Sequence, residues 1–147
     1  MAFKLKKTSL RMLGLIVIGM HISMAAIHVL VIVGLFPKEM IWGGVLGPES
    51  TFGELLFLEI LAIGVLAIFT IPVAIKSGML FQRAWKAYPR AINFSLWVIF
   101  IYYLLNAAGN LLSPVSRETE VFLPFTIVLA VLILIIALAQ RSSDSPL

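Results

Sequence analysis

His28, Glu59, Asn106 and Asn110 are polar side chains set inside long apolar runs. A histidine and a carboxylate can pass a proton between them. Two amides can hold a polar ligand or hydrogen-bond a neighbouring helix. None of these groups is stable in hydrocarbon without a partner. A carboxylate in a spanning segment is functional by default, so Glu59 should face the bundle interior, with His28 and Asn106 as its candidate partners. A His28–Glu59 pair would be a proton-sensitive element. His21 lies seven residues before His28 and shares its helix face. The two are about 10 Å apart along the axis, too far to ligate one metal ion. His21 reads as structural, bonded to a backbone carbonyl or a neighbouring helix.

The apolar runs that must position these residues cover 12–36, 52–75, 91–112 and 121–139. Each is long enough to cross a bilayer about 30 Å thick, which takes roughly 20 residues. Of the 147 residues 61% are hydrophobic and 12% are charged, against about a quarter charged in a soluble domain. Mean hydropathy is +1.09. The expected fold is all-α: one integral membrane domain over 1–147, a four-helix transmembrane bundle with short loops. A membrane barrel is excluded because the runs do not alternate.

Nine basic residues lie before the first run, between the second and third, or after the fourth; only Lys38 and Arg117 lie in the other two loops. Short loops rich in Lys and Arg stay inside. Both termini and the segment 76–90 are therefore expected to be cytoplasmic, in a cell (inner or plasma) membrane. The segments 37–51 and 113–120 are expected to face outward. The charged start resembles a signal peptide and "SMA" a cleavage site, but cleavage would leave 26–36 too short to span; the expectation is an uncleaved first helix. Topology accounts for the net charge of +4, so no nucleic-acid partner is needed. "KSGMLFQRAWKAYPR" mixes bases with Phe81, Trp85 and Tyr88, as a segment lying on anionic lipid would.

In the outward segments, Pro37 should stop the first helix. Gly43, Gly44, Gly47 and Pro48 mark turns. Trp42 should sit at headgroup level, while Met40, Ile41, Val45 and Leu46 suggest a loop folded onto the bundle. "TFGE" fits a capping box that assigns Glu54 to the second helix start. Ser113 and Pro114 should end the third helix, and Glu118 and Glu120 should cap the fourth. Pro72 predicts a kink or an early end in the second helix.

At 1.5 Å per residue, His28 lies about 12 Å, Glu59 roughly 10 Å, Asn106 roughly 10 Å and Asn110 roughly 4 Å below the outer ends of their helices. Thr126 falls between the last two. Read alone, Asn106 and Asn110 are interhelical glue worth on the order of 0.6–2 kcal/mol each, with Ala107, Ala108 and Gly109 allowing close helix approach. Read with His28 and Glu59, they become one wall of a site. Trp97, Tyr102 and Tyr103 are expected to pack against helices or lipid.

The function expected is a polar pocket in the outer half, bound by His28, Glu59, Asn106 and Asn110. It would bind a small ligand or lipid, or the protein would act as an accessory subunit. One alternative is a membrane-embedded enzyme with His28 and Glu59 as acid–base pair acting on a lipid-like substrate. Another is a subunit of an oligomeric transporter. Partners would be membrane lipids and a second copy or another membrane protein. No cofactor is expected: two ligand types are a weak metal signal, no second axial histidine faces His28 for haem, and no phosphate-loop, HExxH, GxSxG or zinc signature occurs. The chain has no cysteine, which removes thiol chemistry, palmitoylation and thiolate metal sites. In helix number and general polarity alone, four spans with inward-facing acids resemble the emopamil-binding/sigma-2 receptor group. No motif accompanies that likeness, so it implies no site residue.

Overall fold

The computed structural model describes residues 3–42, 46, 49–113 and 118–141. The expected turns at Gly43, Gly44, Gly47 and Pro48 lie outside them, as do Val45, Pro114 and Arg117. Helix α1 spans Lys7–Ile32, α2 Phe52–Lys76, α3 Gln82–Ala87, α4 Pro89–Leu112 and α5 Leu123–Leu138. Four helical segments are long and apolar enough to cross a membrane, the fourth running Thr119–Leu138. α1 packs on α2 and α5, and α4 packs on the same two, which closes a four-helix ring. A short strand β1, Phe3–Leu5, pairs in parallel with β2, Ala139–Arg141. The segments before α1 and after α5 therefore meet at one end of the bundle, the basic end; the other is the acidic end.

Beside an apolar core, several polar side chains are buried while many large apolar ones face outward. His21, His28, Glu59, Lys76 and Thr126 are buried, whereas Leu15, Ile22, Phe57, Ile68, Phe94 and Leu105 are exposed. Helices apolar on every side and polar at their contacts suit a lipid surround. The apolar core is built from Leu10, Val17, Leu96, Leu129, Ile133 and Ile136 with their neighbours.

α1 begins and ends four to five residues before the apolar run does. It starts early because Lys and Arg are good helix formers with stems that lie along apolar surface. It ends early because Gly34 takes a left-handed conformation, φ 75°, and the Leu35 and Gly34 amides fold back onto the Leu30 and Val31 carbonyls. α2 ends the same way at Gly78. It does not end at Pro72, contrary to one of the expectations. Proline removes one backbone bond, and the last turn is held from outside: Arg11 and Gln82 both donate to the Gly78 carbonyl, at 3.2 and 2.8 Å.

Thr51 and Glu54 form the expected capping box. Glu120 does not cap α5, which has no side-chain cap; the Glu118 side chain lies outside the described residues. A wide π-type turn over Glu118–Phe122 leads into α5 instead. Gly109 has no neighbour within 4 Å of an added Cβ, so no helix approaches there.

Gly14 is where α1 comes close to the turn after α2. A Cβ added to it would lie 2.2 Å from Ser77 Oγ and 2.6 Å from Ser77 Cβ. Gly14→Ala should therefore cost about 1–3 kcal/mol by overpacking, measured as a lower unfolding midpoint in detergent. Ser77 Oγ is buried without a hydrogen bond. Ser77→Ala should be neutral or mildly stabilising, because it removes an unsatisfied hydroxyl.

Candidate functional site

The capping box starts α2 at Phe52, which puts Glu59 two turns inside the helix, fully buried. His28 lies one turn before the end of α1, on the facing side. Its Nδ1 meets Glu59 Oε2 in a short hydrogen bond. Glu59 Oε1 accepts the indole N–H of Trp42 at 2.7 Å. Indole nitrogen can only donate, so Oε1 must accept. Trp42 follows the Lys38–Met40 3-10 turn and reaches back to the bundle. Its N–H needs an acceptor once half-buried, and Glu59 supplies one. Asn106 does not pair with Glu59.

Asn106 and Asn110 bond each other. Asn110 Nδ2 donates to Asn106 Oδ1 at 3.1 Å and to Thr126 Oγ1 at 3.4 Å. The Thr126 hydroxyl proton goes to the carbonyls of Phe122 and Leu123, each at 2.9 Å, so its oxygen is an acceptor for Asn110. The two asparagines thus join α4 to α5, and Thr119 Oγ1 adds a bond to the Asn110 carbonyl at 2.9 Å. The inventory leaves Asn106 with its N–H donors and Asn110 with its side-chain oxygen, neither hydrogen-bonded among the described residues.

Both residues border a cavity of about 110 Å³ that His28, Trp42, Tyr103 and Thr126 also line. Glu59 is behind this wall, not in it. With Glu59 ionised, its oxygen takes the Nδ1 hydrogen of His28 and leaves Nε2 as the imidazole atom with no bond among the described residues. A carboxylate that fixes the tautomer and tilt of a histidine makes the other ring nitrogen a base or ligand. Among the described residues no group of three or more His, Cys, Asp or Glu side chains gathers for a metal ion.

No family model matches this chain, and neither a curated protein nor a solved structure matches it. The site is therefore read from its own geometry.

A second buried polar cluster lies deeper. His21 Nδ1 meets Thr70 Oγ1 at 2.9 Å, and His21 Nε2 meets the Tyr103 hydroxyl at 2.7 Å. Thr70 gives its only hydroxyl hydrogen to the Leu66 carbonyl, at 2.9 Å. Nδ1 must therefore carry the hydrogen and donate to Thr70. Neutral His21 then accepts the Tyr103 hydroxyl at Nε2, and every polar atom of the cluster is satisfied. Three helices, α1, α2 and α4, meet at this one ring. The sequence indicated a neighbour for His21 but not Tyr103, whose aromatic type reads as packing. Its spacing was the available signal: Tyr103 is three residues before Asn106 and so lies near the same helix face.

Proposed function

We propose that this is a four-span membrane protein, both termini cytoplasmic, that binds a small polar molecule in the cavity at its acidic, outward end. The observation that carries the reading is the set of hydrogen-bonding groups bordering one cavity: Asn106 donors, the Asn110 oxygen and the imidazole of His28, oriented by Glu59 and Trp42. The nine-to-two distribution of basic residues supports the orientation. A cavity of about 150 Å³ accepts benzene, so about 110 Å³ suits a ligand of about four heavy atoms. Small amides, which present a donor and an acceptor side by side, match the two asparagines.

The test is thermal unfolding in detergent with formamide, acetamide and urea across pH 5–8. Saturable stabilisation that His28→Ala and Asn106→Ala abolish is the expected result. Identical responses in the wild type and in the His28→Ala and Glu59→Gln variants would remove the pocket reading. One observation favours acid–base catalysis as a second reading. The Glu59–His28 contact is the arrangement that prepares Nε2 to take a proton from a bound substrate.

A further inference from the structure

The basic end carries a cleft of its own, far from the cavity above. Its volume is about 560 Å³, and Lys76, Arg90, Asn93, Trp85, Trp97 and Leu138 are among its lining residues. That is within the range of ligand pockets, roughly 300–1,000 Å³. Three elements converge on it. α2 brings Lys76 in its last turn, α4 begins there at Pro89, and α5 delivers Leu138 before running into β2. The β1–β2 pairing anchors that last wall.

Lys76 is unusual for a lysine in being only 4% exposed. Its Nζ donates to Asn93 Oδ1 at 2.9 Å and stands 4.6 Å from the centre of the Trp85 ring. The Asn93 amide and the Trp85 ring are two of the groups that hold the ammonium at the cleft wall. Arg90, one turn before Asn93, is exposed and has no ion pair among the described residues. The start of α4, which no side chain caps, adds the positive end of a helix dipole.

We propose that this cleft is a binding site for a phosphate group, held between Lys76 and Arg90, and that its source is an anionic phospholipid. Two cations at a helix start form a site for a phosphate oxyanion. The apolar walls decide for lipid over free phosphate. Trp97 is seven residues beyond Arg90, about 10 Å further along α4; it lines the cleft with Leu138 and is itself partly exposed. Trp85 and Trp97 are amphipathic rings of the kind that sit at headgroup level. The site is independent of the amide-lined cavity at the other end.

The experiment titrates phosphatidylglycerol and, separately, phosphatidylcholine into the detergent-purified full chain, with lipid adducts read by native mass spectrometry. Phosphatidylglycerol should bind saturably and phosphatidylcholine should not. Arg90→Gln and Lys76→Gln should each weaken phosphatidylglycerol about fivefold, the scale of one Lys or Arg contact with an anionic lipid. Arg90→Gln alters an exposed side chain, so it remains informative should the Lys76 variant misfold. The control is the Arg83→Gln, Lys86→Gln double variant, which removes two exposed charges of α3 that do not line the cleft. An equal loss there would assign the binding to diffuse surface charge and overturn the site. Displacement of the lipid by millimolar inorganic phosphate would uphold the phosphate site but overturn the lipid as its source.

Discussion

Glu59→Leu is expected to lower stability by about 2–6 kcal/mol, because it strands two donors at a cost of about 1–3 kcal/mol each. The reason is specific. Leucine would leave two donors, His28 Nδ1 and Trp42 Nε1, without an acceptor at a buried point where α1, α2 and the loop meet. Glu59→Gln makes the informative contrast. Its amide oxygen can accept the Trp42 N–H, and its amide nitrogen can donate to His28 Nδ1. Stability should stay within about 1 kcal/mol of wild type, but the imidazole must reverse. Nδ1 becomes the acceptor, and the hydrogen moves to Nε2, the nitrogen left for the cavity. Nitrogen chemical shifts of His28 read that tautomer directly, and detergent unfolding midpoints read the stability. A leucine variant as stable as wild type would show that the pair does not hold the fold. An unchanged tautomer in the glutamine variant would sink the proposed role of Glu59 as the group that orients His28.

The second large effect should come from His21→Ala, at about 3–5 kcal/mol. Deleting the ring opens a cavity where three helices meet, a change that costs about 2–5 kcal/mol in protein cores, and it strands the Tyr103 hydroxyl. Tyr103→Phe should cost less, about 1–2 kcal/mol. It removes one interhelical hydrogen bond, worth about 0.6 kcal/mol on average in membranes, but also leaves Nε2 of His21 buried and unsatisfied. The two lesions share one bond, so the double variant should be less destabilised than the sum of the singles. Strict additivity in unfolding midpoints would mean that the His21–Tyr103 contact carries no energy.

Trp42 and Asn106 illustrate where reading the sequence stops. A constant rise per residue puts His28 level with Glu59 and Thr126 between Asn106 and Asn110; His28 meets Glu59, and Asn110 meets Thr126. Asn106 has the same depth as Glu59 and yet bonds Asn110. Depth is one coordinate; the angle round the helix axis is another, and in helices apolar on every side no amphipathic stripe reports it. The Trp42–Glu59 bond is hidden in the sequence for a different reason. Trp42 follows a proline and a short turn, and the path of such a loop depends on what it can cover.

Composition, run length and charge placement suffice for four apolar helices, the capping box at Thr51 and the polar residues that must be turned inward, because lipid penalises every unsatisfied polar group alike. Tertiary structure alone decided which polar groups meet. Partner choice in the bundle depends on helix rotation, on where Gly34 and Gly78 end their helices, and on the count of hydrogens each group can give. Those are properties of the packed assembly. They made Glu59 the support of His28 and Trp42, and they left the asparagines, with the imidazole, to line the cavity.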